Sequence, residues 1–471
     1  MPLFLLLSYG CKKFVQVATP DTQLVTSSVY SNSATATSAM LAIYISMFAN
    51  SESYNTATDQ GLMSDELTNY STSLIQIQYY TNALLAVNSP GDWKNAYSYI
   101  YRANAVIGGL QNNGQIPAAI AQQLTGEAKF VRAFWHFYLT NMYGNIPLVT
   151  TTAYTVNESL PRSSQSLVYA QITQDLQDAI SLLNENYVDA TDTAVTTQRV
   201  RPNKATAEAL LARVYLYRGL YDSADLEANN VITNSLYDLC TNLNPVGRVG
   251  RDSVFLINNR EAIWQISTPL PNIYNTSDAQ GFILFGAPGS GPNGSNTLSP
   301  ELLAAFEPGD LRRSNWIDSI VEAGVPYYFP YKYQAVNTTT LTEFTMVLRL
   351  AEQYLIRAEA EANLGDMADA AADLNTIRAR AGLGASPTLT ASSSLTQADS
   401  AILHERQVEL FTEWGHRWFD LIRMDSANIV LGAPGNVCQN KGGVWNPAWQ
   451  LYPIPLTEIN NDVNLTQNTG Y

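Results

Sequence analysis

Residues 204–232, KATAEALLARVYLYRGLYDSADLEANNVI, read as a complete helical hairpin, and no other stretch constrains the fold as tightly. Leu210, Val214, Tyr217 and Tyr221 follow the spacing of one helix face, and Ala224, Ala228 and Val231 continue it on a second helix. Gly219 separates the two, because glycine tolerates the left-handed conformation that ends a helix. Asp222, just beyond it, is placed to cap the free N–H groups of the next helix. The pattern returns at Ala351–Ile377, where Ala358, Gly365, Ala370, Leu374 and Ile377 stand at the positions of Ala212, Gly219, Ala224, Ala228 and Val231.

The order and spacing are those of a tetratricopeptide (TPR) helix pair, whose small residues let helix axes approach closely. A TPR hairpin buries its apolar face only against neighbours, and roughly three or more units are needed for a stable stack. Further helix pairs are therefore expected. Trp93 to Leu110, Pro117 to Met142 and Ser164 to Leu183 supply amphipathic stripes, as do Ala34 to Phe48, Thr345 to Leu364, Asp366 to Ala381 and Thr396 to Met424. Residues 50–92 read as mixed and loop-rich. Between 235 and 344 the helical period disappears and short β-like runs take over, at Ser253 to Ile257, Glu261 to Ile266 and Phe329 to Tyr333. A stretch of that length is too long for a plain loop. It reads as an irregular lobe inserted between TPR units. The expected fold class is therefore mostly α, with TPR-like hairpins forming a superhelix (about 34–234 and 345–424), the inserted lobe (about 235–344) and an extended C-terminal tail (425–471), all in one domain over 12–471. Proline at alternate positions of Tyr452 to Pro455 excludes helix and central strand there.

The 471 residues are 46% hydrophobic but only 14% charged, so surface polarity falls to Asn, Thr, Ser, Gln and Tyr. A formal charge of −15 disfavours nucleic acid and acidic polysaccharides, which require Lys/Arg clusters. Neutral ligands fit better. At the N-terminus, a short apolar run ending in Gly10 and Cys11 reads as the remnant of a lipoprotein signal, with Cys11 the lipidated residue; residues 1–11 are set apart on this basis. No later run is long enough to span a bilayer, so the membrane link is this anchor alone. Cys240 and Cys438 are too few for a disulfide framework.

Taken in order, several blocks resemble the SusD/RagB family, surface nutrient-binding lipoproteins of Bacteroidetes. They are Trp93, Ala96, Tyr97, Ile100, Arg102, Ala103 and Asn104; Gly126 to Ala133 with Tyr143 to Pro147; and Ala209 to Arg213. Further on come Arg349, Glu352, Arg357 and Glu359; Glu405, Arg406, Glu409, Arg417, Asp420 and Arg423; and Tyr452 to Pro455 with Gln467, Asn468, Gly470 and Tyr471. Two departures are Thr469, where the family has Pro, and Lys12 and Lys13 after the lipid cysteine, where acidic residues are frequent. The resemblance implies a TPR-containing superhelix packed on an irregular lobe, lidding a SusC-like TonB-dependent outer-membrane transporter. It implies capture of oligosaccharides or polysaccharides at the outer membrane, facing the cell exterior, without chemistry and without a cofactor.

The histidines, His136, His404 and His416, lack the spacing of a metal site and read as packing or capping residues. Glu405, Glu409 and Glu413 repeat at i, i+4, i+8, a spacing that could flank a glycosidase cleft at about 5 to 9.5 Å. Arginines at 406, 417 and 423 share that helix, and a structural network, with Glu413 and Arg417 as an i, i+4 pair, is the favoured reading. The competing functions are thus a glycoside hydrolase using Glu405 or Glu409 and a TPR protein-interaction scaffold.

Sugar rings stack their C–H faces on aromatic planes while neighbouring amides and carboxylates bind hydroxyls. The 27 Tyr and 8 Trp make this the most plausible chemistry. Ring-bearing helix positions such as Trp93, Trp135, Tyr215 and Tyr217 are assigned to the core. The ligand candidates are the loop positions: Tyr70, Tyr79, Tyr80 and Asn88 in the first region, and Tyr274, Phe282, Phe285, Trp316, Tyr327 and Tyr328 in the lobe.

Overall fold

The computed structural model describes residues 26–88, 90–241, 243, 253–269, 274–290, 294–386 and 389–471. Cys11 and the signal remnant lie outside the described residues. In chain order the principal elements are α1 (Ser33–Ala49), α2 (Glu52–Met63), β1 (Leu67–Asn69), α3 (Leu74–Tyr80), α4 (Trp93–Leu110), α5 (Ala118–Tyr143), α6 (Gln165–Leu182), α7 (Lys204–Tyr217) and α8 (Tyr221–Ile232). The second half adds β2 (Ala262–Ile266), β3 (Asn296–Leu298), β4 (Ile317–Glu322), β5 (Val325–Pro330), β6 (Thr345–Arg349), α9 (Leu350–Leu364), α10 (Met367–Arg380), α11 (Leu395–Leu410) and α12 (His416–Arg423). Helix dominates, as the periodicity predicts.

The frame is a run of neighbouring helices, α4 on α5, α5 on α6, α6 on α7 and α7 on α8. The run continues directly from α8 to α9 and then α10, so the two TPR hairpins are adjacent in space although the lobe separates them in sequence. A buried Arg213 donates to both Glu352 carboxylate oxygens at 2.6 Å across that junction. Gly219 and Gly365 end their helices at φ +67° and +94°, the left-handed conformation expected of them. Asp222 sits in the first turn of α8 but makes no capping hydrogen bond; Leu220 holds the cap position.

These strands pair in two-stranded antiparallel ladders: β1 with β3, β4 with β5, and β2 with β6. The β2–β6 pair is wholly buried and brings the chain back from the lobe into α9. Beside it lies an aromatic core. Phe134 on α5 meets Trp264 on β2 at 5.7 Å and Trp414 at 5.4 Å, each edge to face.

Several expectations are corrected. Residues 50–92 contain α2 and α3 rather than loop alone. The buried residues of α2 mix Glu52, Ser53, Thr56, Thr58 and Gln60 with Ala57, Leu62 and Met63, and so many polar residues on the inner side leave no clean apolar stripe to read. The predicted helix over 396–424 breaks at Phe411 to Gly415, with Thr412, Trp414 and Gly415 all at positive φ. The break turns Glu413 toward Arg349 and Lys332, so the Glu413–Arg417 pair does not form; Arg417 instead holds Asp65 at 2.6 Å. Ser253 to Ile257 is not a strand but turns between bridge residues at Ser253 and Leu256, the latter paired with Glu343. The tail is not extended throughout, since short helical turns form at Ala427–Val430, Val437–Asn440 and Leu456–Asn461. Cys240 and Cys438 are separate, buried thiols.

Candidate functional site

The short β1–β3 ladder brings the first loop region against the lobe, with Leu67 opposite Leu298 and Asn69 opposite Asn296. Immediately after β1 the Tyr70 N–H donates to the Ser295 carbonyl at 2.7 Å, fixing where its side chain leaves the ladder. Asn69 brackets the same residue: its carboxamide oxygen accepts from the Ser71 N–H at 2.9 Å and its NH2 donates to the Ser71 carbonyl at 3.2 Å. Such an Asx turn is a local device that Asn favours. Gly289 (φ +76°) closes on the Tyr70 carbonyl from the other side, where an added Cβ would stand 2.7 Å from that oxygen.

Tyr70 remains 42% exposed and meets Tyr327 edge to face, centroids 5.7 Å apart and planes at 85°. Tyr327 comes from β5, opposite Ile320 of β4. Phe285, 55% exposed, precedes the loop that places Gly289 on Tyr70. Tyr80 is partly exposed, beside Thr68 and within electrostatic reach of Tyr70; the Lys441 ammonium lies 5.2 Å from its ring centroid. Asn88 is exposed and donates to the Gln78 side chain at 2.9 Å. Tyr70, Tyr327 and Tyr80 are thus neighbours, and Phe285 and Asn88 are exposed on the two segments that flank them. The segments around Tyr70 and Phe285 carry little charge, with none between Glu66 and Asp92 and only the buried Asp278 between Tyr274 and Pro300, while the neighbouring charges are Lys441 and Glu301 at Tyr80 and Asp318 and Glu322 on β4.

The remaining ligand candidates are corrected or placed elsewhere. Trp316 is fully buried, its indole N–H donating to the Leu243 carbonyl at 3.0 Å and its ring lying under Lys332. Tyr79 is buried because α3 turns it inward, where its hydroxyl accepts from the Gly91 N–H at 2.6 Å. Phe282 is buried edge-on to Tyr54, centroids 4.9 Å apart. None of the three offers a free ring face. Tyr328 alternates to the opposite face of the β4–β5 hairpin from Tyr327 and stacks under Arg313 at 4.7 Å. Tyr274 is partly buried at an isolated bridge to Val336. Sequence reasoning missed Asn69 as the residue that orients Tyr70, although an Asn two positions before Ser is a readable turn signal. It also missed Leu74 and Ile77, which α3 leaves exposed beside the tyrosines.

The carboxylates of α11 belong to a buried ionic network. Arg312 reaches Glu405 at 2.6 Å and Glu409 at 3.0 Å, and Arg349 reaches Glu409 at 2.5 Å and Glu261 at 2.9 Å. Lys332 and Arg349 both hold Glu413, at 2.5 and 2.8 Å, and Arg380 closes on Glu409 and Glu261. Burial alone would raise the Glu409 carboxyl, but Arg380, Arg349 and Arg312 hold it well below the usual range. With Glu405 and Glu409 enclosed by guanidinium groups, neither can flank a scissile bond as the hydrolase alternative requires. Burial likewise pushes His136 down to about 3 and His416 far below its ordinary value, which keeps both rings neutral. Among the described residues, no group of three or more His, Cys, Asp or Glu is arranged to hold a metal ion. Nor is any helix long and apolar enough to cross a membrane.

Among the described residues, four cavities of about 380 to 490 Å³ lie away from the rings, one of about 490 Å³ by Glu307, Arg378 and His404 and one of about 460 Å³ by Glu185, Lys204 and Glu208 among them. One of about 470 Å³ sits on the helical frame, by Tyr217, Tyr221 and Glu359. Another, of about 380 Å³, lies between α1 and residues 188–201, by Leu41, Ile45 and Val200.

Residues 312–471 match the model of the SusD family, and residues 15–216 match a SusD-like model described as starch-binding associating with outer membrane. A SusD-like protein of Formosa agariphila is 29% identical over 437 residues, covering 80% of each chain. The starch-binding protein SusD of Bacteroides thetaiotaomicron is 35% identical over 132 residues, 26% of this chain and 21% of that one. The solved structure of a laminarin-binding SusD-like protein superposes with a TM-score of 0.72 at 26% identity, covering 93% of this chain and 99% of the other. Two models that together span most of the chain, relatives along most of its length and a common architecture agree: the chain belongs to the SusD family.

Proposed function

We propose that this protein binds neutral oligosaccharides or polysaccharides at the outer membrane, and that Tyr70, Tyr327 and Phe285 form the contact surface with Tyr80 and Asn88 at its margin. The observation that carries this reading is the exposed Tyr70 ring set edge to face on the half-buried Tyr327, where the first loop region meets the lobe on segments rich in amides and poor in charge. Rings take the apolar faces of sugars and amides take hydroxyls, and the nearby charges, Lys441 and Glu301, are of both signs and select for neither an anionic nor a cationic ligand. The starch and laminarin named for two relatives are ligands of this same chemical kind. We further propose that the ligand is passed unchanged to a SusC-like TonB-dependent transporter, with the protein held by a lipid on Cys11 and facing the cell exterior.

Affinity electrophoresis in native gels containing neutral glycans tests the binding. Retardation by at least one glycan is expected, weakened by Tyr70→Ala and Tyr327→Ala; a wild-type protein retarded by none of a broad panel would refute it. Co-purification of a TonB-dependent transporter and mass spectrometry of the mature N-terminus test the delivery and anchoring separately.

A further inference from the structure

Six of the eight tryptophans are buried; the two that are not, Trp445 and Trp449, stand four residues apart in the C-terminal tail and are partly exposed. Both have their indole N–H fixed. Trp445 donates to the carboxamide oxygen of Asn428 at 2.9 Å, and Trp449 to the Gly470 carbonyl at 3.1 Å. Their rings are seated as well. Trp445 meets the buried Trp418 of α12 with planes at 78°, and Trp449 lies beside Tyr471 with planes at 28°, centroids 6.4 Å apart in each pair. Glycines make room for both: a Cβ on Gly432 would stand 2.8 Å from the Trp445 ring, and one on Gly470, at φ +97°, 3.3 Å from the Trp449 ring. An indole held in this way keeps its orientation without a ligand, so little order has to be created on binding.

The polar groups beside these rings are oriented too. An indole N–H only donates, so the Asn428 side chain turns its oxygen to Trp445 and its NH2 away. Asn428 is exposed, and among the described residues that NH2 donates to nothing. Asn446 repeats the arrangement: its oxygen accepts from the Ala448 N–H at 3.0 Å, capping the turn at Pro447–Gln450, and its NH2 is left over. Two aromatic planes and two spare carboxamide donors are the groups that take the C–H face and the hydroxyls of a sugar. From Gly442 to Thr457 the chain has no charged side chain. The charges nearest in sequence are Glu458, Asp425 before Asn428, and Lys441, whose ammonium donates to the Leu62 and Ser64 carbonyls. Lys441 also touches the Tyr80 ring, and the Cα atoms of Lys441 and Trp445 can be at most about 14 Å apart, which sets Trp445 on the part of the molecule next to Tyr80.

We propose that Trp445 and Trp449, with the carboxamides of Asn428 and Asn446, form a second contact surface for a neutral glycan, separate from Tyr70 and Tyr327. This surface takes its ligand class from the glycan reading above but does not depend on the Tyr70 contacts. Two surfaces on one chain retain a long polysaccharide better than a short oligosaccharide, because once one is engaged the second binds at high effective concentration.

The test uses the full chain, in native gels of the same neutral glycans and in oxidation of exposed indoles by N-bromosuccinimide, read by mass spectrometry of the tail peptides. Trp445→Ala is expected to weaken retardation about five-fold and Asn428→Ala about two-fold. In Tyr70→Ala/Tyr327→Ala protein some retardation is expected to remain, and adding Trp445→Ala is expected to remove it. A retarding glycan at saturation should slow oxidation of Trp445 and Trp449, a readout that a purely structural tryptophan would not move. Unchanged retardation in both tail variants, or oxidation of Trp445 at the same rate with and without glycan, would overturn the proposal and leave the Tyr70 surface standing. Retardation lost in the tail variants but untouched by Tyr70→Ala and Tyr327→Ala would do the reverse. A wild type retarded by no glycan would overturn both. Trp445 packs on Trp418, so the fold of Trp445→Ala is checked by circular dichroism; Asn428→Ala, at an exposed position, and the oxidation assay on wild type decide the matter without it.

Discussion

At the residue scale, Tyr70 carries the most consequence. Its ring is held in place by backbone contacts on both sides, so its own side chain is free to serve a ligand. Tyr70→Ala should weaken glycan retardation by about five-fold, the equivalent of roughly 1 kcal/mol for one lost ring contact, with little change in melting temperature. Glu52 behaves in the opposite manner, as a buried group with no ligand role. Its carboxyl is pushed up to about 9, first by burial and then by the Asp92 carboxylate, although Tyr99 and Asn95 donate to it at 2.6 and 3.0 Å. A folded-state pKa raised above the unfolded value of 4.5 means the native form binds the extra proton. The stability it contributes is therefore complete below about pH 4.5 and is lost as pH rises toward 9. Melting temperatures of wild type and Glu52→Gln across that range check this: the wild type should lose more stability than the variant as pH rises.

At the scale of elements, the lobe is bound to the frame by charge as well as by packing. Glu409→Ala would leave Arg312, Arg349 and Arg380 short of a shared buried carboxylate, and breaking such a network by removing one partner costs about 3–5 kcal/mol. Urea denaturation should register that loss. Gly289→Ala should act differently, displacing the loop that seats Tyr70. Weakened glycan retardation is the expected result, with a fall in stability of about 1 kcal/mol in urea, smaller than that of Glu409→Ala, because alanine is strained at positive φ. The legibility of elements followed their chemistry. α5 and the two TPR hairpins show apolar stripes and glycine stops, so they could be read from spacing. α2 could not, because its inner side mixes Glu, Ser, Thr and Gln with its apolar residues, and the break at Phe411 could not, because it is imposed by distant Arg349 and Lys332. Among the ring positions, loop location separated Tyr70, Tyr327 and Phe285 from the helical core. It failed for Trp316, Phe282 and Tyr79, since which side of a short element faces inward is decided by neighbours remote in sequence.

At the scale of the whole molecule, the chain carries −15 overall, yet the segments that supply Tyr70 and Phe285 hold a single charged residue, the buried Asp278. Binding of a neutral glycan there should change less than about two-fold between low and high salt, since screening acts on charged contacts; titration in buffers of increasing sodium chloride measures it. The frame also has an unusual connectivity. The hairpin α7–α8 packs directly on α9, and β2 lies beside β6, so the polypeptide departs for the lobe and re-enters the frame at nearly one place. Closing a long excursion costs entropy that grows only with the logarithm of its length. An excursion anchored at so narrow a base can lengthen, shorten or change its sequence while the helices beneath keep their contacts. The recognition surface and the scaffold are thus free to evolve at different rates, and grafting the lobe of one relative onto the frame of another becomes a practical route to altered specificity.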